Sequence, residues 1–201
     1  MNEKVKSYLD NLNREFERVK NTIDLTAIEE AKQIILKTEQ NGGRVHITGI
    51  GKPSYVAGYI ASLLSSTGTP SYVLHGTEAI HGSSGQVLKG DVVIAISNSG
   101  ETQELKQTVK TVKNNGAILI GVSGNEASWL SKNSVVHLYA GVEHEGDSLN
   151  KPPRASILVE TLVLQILSVL LQESKEITDE KYIKWHPGGA LGKPKEGENN
   201  V

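Results

Sequence analysis

The stretch Val92-Val93-Ile94-Ala95-Ile96-Ser97-Asn98-Ser99-Gly100-Glu101-Thr102 decides the fold. An apolar run ends abruptly in small residues and passes into a helical pattern, so it reads as a strand, a tight turn and a helix N-terminus. About fifty positions earlier, Ile47-Thr48-Gly49-Ile50-Gly51-Lys52 repeats the arrangement. Such a helix end aims free backbone N–H groups and a partial positive charge at an anion. The later loop adds hydroxyls on Ser97, Ser99 and Thr102, with no basic residue and no nucleotide-binding lysine nearby. This favours a small phosphate ester over a nucleoside triphosphate.

Outward from these two loops the pattern alternates. The periodicity predicts strands at 45–48, 71–74, 92–96, 117–122 and 135–139, and helices at 53–66, 77–82, 102–114, 127–131 and 154–172. Strands alternating with helices imply a parallel sheet with right-handed crossovers, covered by helices on both faces. The expected fold is therefore α/β: a five-stranded parallel sheet in a three-layer, doubly wound αβα arrangement of order 2-1-3-4-5. In such a sheet ligands sit beyond the carboxyl ends of the strands where the order reverses, and there the two glycine-bearing turns meet. Residues 4–40 carry helical periodicity with Glu/Lys-rich faces, split near Asn21–Leu25 into two amphipathic helices without identifiable chemistry. The domain reading is N-terminal helices over 1–43, a ligand-binding domain over 44–193 and a flexible tail over 194–201.

Composition narrows the class further. The 201 residues suit one doubly wound domain, and 37% hydrophobic with 22% charged residues is ordinary for a globular protein. A formal charge of −2 provides no electrostatic argument for nucleic acid or membrane partners. Without cysteine there is neither a disulfide scaffold nor thiolate chemistry. The start lacks the apolar segment of a signal peptide, and the longest apolar stretch, Ile157–Leu171, is broken by Glu160, Thr161, Gln165 and Ser168, which reads as a buried helix. The expected location is cytoplasmic.

Several side chains are candidates for chemistry. Lys52 puts positive charge in a helix's first turn, against the macrodipole, and so invites a functional reason. His81 in Glu78-Ala79-Ile80-His81-Gly82 is either a site group or simply exposed. Glu104 lies one turn inside the helix that the hydroxyl loop opens, where a glutamate also favours the N-terminus. Glu143 and Glu145 follow the fifth strand, where alternation points them to the same side and repulsion is expected to raise at least one pKa. His186 sits in Trp185-His186-Pro187-Gly188-Gly189-Ala190-Leu191-Gly192, a compact cluster that suggests docking. Three hydroxyl residues around Gly100 exceed what a helix cap needs.

Taken in order, Gly49-Ile50-Gly51-Lys52, Ser65-Ser66-Thr67-Gly68-Thr69-Pro70, Glu78-Ala79-Ile80-His81-Gly82, Ser97-Asn98-Ser99-Gly100-Glu101-Thr102 and His186-Pro187-Gly188-Gly189-Ala190-Leu191-Gly192 resemble the blocks of sugar isomerase (SIS) domains, over about Glu30 to Lys193. Within that family the chain resembles the arabinose-5-phosphate isomerase branch. The resemblance implies aldose-ketose isomerisation of a phosphosugar in carbohydrate metabolism, with no required metal or organic cofactor, in a homotetramer whose active sites borrow groups from neighbours. It implies catalytic roles for Lys52, His81, Glu104, Glu145 and His186, the last contributed to a neighbouring site. It also implies phosphate or substrate contacts from Gly51, Ser54, Ser97, Asn98, Ser99, Gly100 and Thr102. The expected partners are a phosphosugar and further copies of the chain, with neither nucleic acid nor membrane.

The chain also departs from that pattern. Pro53 intervenes where the family's lysine is generally followed by serine, so Ser54 comes one place later; Pro153-Arg154-Ala155-Ser156 replaces a Pro-Thr-Ser-Ser-like stretch. Many relatives continue into a pair of CBS domains, which this chain is expected to lack. The chemistry stands on its own: a tuned carboxylate suits the carbon-bound proton, a histidine the oxygens, and a lysine the developing enediolate. Two alternatives stay open: an isomerase for another sugar phosphate, or a non-catalytic sugar-phosphate-binding regulator. Against the regulator, residues 1–43 show no short Gly-containing turn or basic recognition face.

Overall fold

The computed structural model describes residues 2–188. Its elements run α1 (Glu3–Thr22), α2 (Leu25–Gln40), β1 (Val45–Gly49), α3 (Pro53–Ser66), β2 (Ser71–Val73), β3 (Val92–Ile96), α4 (Gln103–Asn114), β4 (Ile118–Ser123), α5 (Trp129–Asn133), β5 (Val136–Tyr139), α6 (Ala155–Ser174) and α7 (Asp179–Trp185). The strands form one parallel sheet in the order β2-β1-β3-β4-β5. That is the expected doubly wound order, with the reversal between β1 and β3.

Side-chain alternation along the strands splits the interior in two. Val92, Ile94 and Ile96 face the side covered by α2, α3 and α6, through residues such as Ile35, Ile60 and Leu167. Val93 and Ala95 face the opposite side, covered by α4 and α5 through Leu105, Val109 and Leu130. With every residue of β3 buried, a continuous apolar run is what a central strand of a covered parallel sheet requires. At the amino ends of the strands, the buried Asp91 carboxylate accepts from the N–H groups of Arg44 and Leu88 and pairs with His46 at 3.1 Å, tying β1 to β3. Burial lowers the pKa of His46 even though Asp91 opposes that shift.

Two local expectations need correction. The helix predicted at 77–82 is two 3₁₀ turns, Glu78–His81 and Ser83–Gln86, separated by Gly82 at φ +119°. The last helix, α7, has no counterpart among the expected elements: it is short and polar, and its Trp185 packs against Gly68 at the start of β2. The helix expected at 154–172 is present as α6, 20 residues long and by length and composition apolar enough to span a membrane. Its contacts with α1, α2 and α3 make it the buried core helix that the sequence suggests. The end of the last glycine block, from Gly189, and the proposed tail at 194–201 lie outside the described residues.

Candidate active site

Strand register brings the two opening loops side by side, because Thr48 pairs with Ala95 and Gly49 with Ile96. The chain then leaves β1 through Gly49, where a Cβ would come 2.8 Å from the backbone of Pro53, and through Gly51 at φ +65°. These two glycines let α3 start directly above the strand. Pro53 occupies the first helical position, for which its fixed φ is suited. Lys52 precedes it, exposed, at the cap position and without a side-chain cap hydrogen bond. The Ser54 hydroxyl donates to the Gly51 carbonyl at 2.6 Å, back onto its own loop.

The loop after β3 is built from its own hydroxyls. Ser97 Oγ lies 3.1 Å from Thr102 Oγ1 and accepts from the Gly100 N–H, while Ser99 Oγ accepts from the Glu101 N–H. Gly100 has φ +66°, and a Cβ there would collide with Ser128, so glycine is required twice over. The Asn98 carbonyl accepts from Gly124 N–H at 2.8 Å, fixing the loop to the end of β4. Glu101 turns aside: its carboxylate pairs with Lys106 and accepts from Trp129 N–H, and those contacts hold its pKa below the usual carboxylate range.

The capping pattern distinguishes the two helices that open from the paired loops. Among the described residues, α1, α2, α5 and α7 have N-terminal amides capped by Asn2, Asp24, Ser128 and Thr178. Helices α3 and α4, which open from the two paired loops, have no side-chain cap. Thr102 holds the cap position of α4, but its hydroxyl meets Ser97 instead. Orphan N–H groups at a helix start need a partner, and an anion in the crevice is a chemically suited one. Glu104 sits exposed in the first turn of α4.

Glu145 belongs to the third helix that starts here. It is 7% exposed, and its Oε2 accepts from the N–H groups of Arg154 (2.7 Å) and Ser156 (3.1 Å), capping α6 across the loop. Among the described residues only this oxygen is engaged, leaving Oε1 for other contacts. Glu143 is exposed while Glu145 is buried, so the expectation that both face one side is corrected: the loop bends after β5 and breaks the strand alternation. The carboxyl whose pKa is raised is Glu160, pushed to about 8 by burial and by the nearby Glu145 charge. Arg154 spends its guanidinium on Asp147 at 2.8 Å.

The two histidines do not join this crevice within the chain. His81 is exposed on a segment that runs along α4, tied to it by Thr108 to the Gly76 carbonyl and by Asn115 to the Ser84 carbonyl. It therefore lies beside the helix body rather than its first turn. His186 stacks on Tyr182 next to Trp185, which touches Gly68, and so lies toward the amino ends of the strands. A histidine outside the sequence candidates, His75, lies at the end of β2 beside the loop that follows β1. It follows β2 and borders a cavity of about 360 Å³ together with Gly51, Ser54, Tyr55 and Thr77. Its position one residue past a buried Leu74 at a strand's carboxyl end was the available signal. Among the described residues no three His, Asp or Glu side chains converge as a metal-ligand set.

Fold and crevice together define a doubly wound α/β domain with a candidate site at its switch point. Residues 40–170 match the family model of the SIS domain, and the chain belongs to the SIS domain family. The arabinose 5-phosphate isomerase KdsD of Pseudomonas aeruginosa is 42% identical over 151 residues, covering 75% of this chain and 46% of that protein. KdsD of Francisella tularensis is 36% identical over 177 residues, covering 88% of this chain and 54% of its own length. The chain thus spans about half the length of these curated relatives. The solved structure of c3406 from E. coli CFT073 in complex with arabinose 5-phosphate superposes with a TM-score of 0.85 at 33% identity, over 91% of this chain and 95% of that one.

Proposed function

We propose that this protein is a phosphosugar aldose-ketose isomerase that interconverts arabinose 5-phosphate and ribulose 5-phosphate through an enediolate. The observation that carries this reading is the pair of uncapped helix N-termini, α3 and α4, opening side by side over the sheet with the hydroxyls of Ser97, Ser99 and Thr102 between them. Two oriented sets of amides suit a phosphate dianion without any basic side chain. Similarity to KdsD and to c3406, whose structure holds arabinose 5-phosphate, supports the choice of sugar.

With the phosphoryl group gripped at 97–102, binding energy far from the reacting carbons is available to orient them. In the aldose-to-ketose direction a carboxylate removes the C2 proton, the carbonyl oxygen at C1 gains a proton, the C2 hydroxyl loses one, and the carbon proton returns to C1. Glu104 is assigned the carbon step, with Glu145 as the other carboxylate within the same end of the sheet. Lys52 steadies the enediolate oxygen. His81 or His186 handles oxygen-bound protons, His186 in the crevice of another copy of the chain.

Purified protein incubated with a panel of five- and six-carbon aldose and ketose phosphates tests the assignment. Conversion of arabinose 5-phosphate faster than of the others supports it. Tight binding across the panel with no conversion would replace the enzyme by a sugar-phosphate sensor.

A further inference from the structure

Helix α1 looks like a cover for the sheet, but its buried side chains are a glutamate and a valine, Glu15 and Val19. Tyr8, Asn11, Glu15 and Arg18 recur at helical spacing and form one stripe. Each meets the backbone of one short loop. The Tyr8 ring lies where a Cβ on Gly146 would be, 2.7 Å away, and Asn11 Nδ2 donates to the Gly146 carbonyl at 3.0 Å. The Glu15 carboxylate accepts from the N–H of His144 at 2.8 Å and from that of Glu143 at 3.1 Å. Arg18 donates to the Gly141 carbonyl and returns to Glu15 at 3.1 Å.

That loop carries Glu145, between two pinned neighbours. Beyond it, the Glu145 N–H donates to Asn150 and its Oε2 caps α6, so the residue is held on three sides. A carboxylate that must face a substrate atom needs such support, because sub-ångström errors in placement are costly to rate. We propose that Glu15 is a positioning residue: with Arg18 and Asn11 it clamps residues 141–146 and thereby aims Glu145 into the crevice. The catalytic half of this inference rests on the isomerase reading; the clamp itself does not.

The experiment uses the full chain and the variants Glu15→Gln and Arg18→Met, with Glu17→Gln, an exposed residue on another face of α1, as control. Glutamine keeps the shape of Glu15 but replaces one of its two acceptor oxygens with a donor and removes the charge, so it cannot serve both the Glu143 and His144 N–H groups and the Arg18 guanidinium as acceptor. Amide hydrogen exchange at Glu143 and His144 is expected to quicken by about tenfold or more while β1 and β3 keep their protection. In turnover, kcat is expected to drop about 10- to 100-fold with KM changed less than about twofold. In a Glu145→Gln background the Glu15→Gln change is expected to cost nothing further, as residues acting as one unit are not additive. Unchanged loop exchange, unchanged kcat, or a fully multiplicative loss in the double variant would each overturn the proposal. If Glu15→Gln does not fold, Arg18→Met carries the same comparisons. If the wild-type chain turns over no sugar phosphate, the isomerase reading alone fails, and loop exchange in the two variants decides the clamp.

Discussion

Glu160 is the residue whose chemistry conflicts most with its surroundings. It is fully buried in α6, neither carboxyl oxygen has a hydrogen-bond partner among the described residues, and its pKa is raised to about 8. Between pH 4.5 and about 8 the folded chain keeps a proton on this group that the unfolded chain has lost. Stability from this source is therefore greatest at low pH and falls as pH rises through that window. The full effect is on the order of 5 kcal/mol, reached above pH 8. Glu160→Gln cannot ionise, so urea unfolding at pH 5, 6.5 and 8 should find the variant gaining on wild type as pH rises. Parallel pH curves would show that Glu160 ionises without cost. The sequence marked this glutamate only as a break in an apolar run, because a charge's burial is decided by elements far along the chain. Glu15 carries no local mark for the same reason: its partners lie 128 and 129 positions away.

At the level of elements, the start of α4 is where stability and binding pull in opposite directions. Thr102 leaves the helix uncapped, and Ser97 holds its hydroxyl. Thr102→Asp supplies a carboxylate cap and a favourable charge at the positive end of the helix, worth about 0.5–2 kcal/mol. The same carboxylate would repel a phosphate dianion. Thermal unfolding should move up or stay level while KM for the sugar phosphate rises by at least tenfold, roughly the 1.4 kcal/mol that two facing anions cost at a partly solvated site. Unchanged KM with raised stability would mean that this terminus holds no anion. Such elements were well marked in the sequence, since glycines and β-branched runs announce strand ends and turns locally. The short elements were not. The segment after β2 breaks into two 3₁₀ turns around Gly82, and α7 owes its place to Trp185 meeting Gly68, a contact between residues more than a hundred positions apart.

For the whole molecule, alternation of strands and helices marked a parallel doubly wound sheet, while the order β2-β1-β3-β4-β5 is set by strand pairing that alternation alone does not specify. The candidate site was legible only where it coincides with strand ends. Lys52, Glu104 and the 97–102 loop follow the paired ends of β1 and β3, whereas the segment of His81 runs along α4 and His186 lies toward the opposite end of the sheet. Which side chains from distant parts of the fold meet at one site is written in no local pattern. What the single chain must supply, on this account, is the carbon base beside the phosphate grip. Incubation with arabinose 5-phosphate in deuterated water, followed by proton NMR at C2, measures that step directly. Wild-type protein should exchange the C2 hydrogen during turnover, and Glu104→Gln should lose about 10²–10⁴-fold of that rate while still binding the sugar phosphate. Exchange at the wild-type rate in Glu104→Gln, or binding without any exchange by the wild-type chain, would contradict the account.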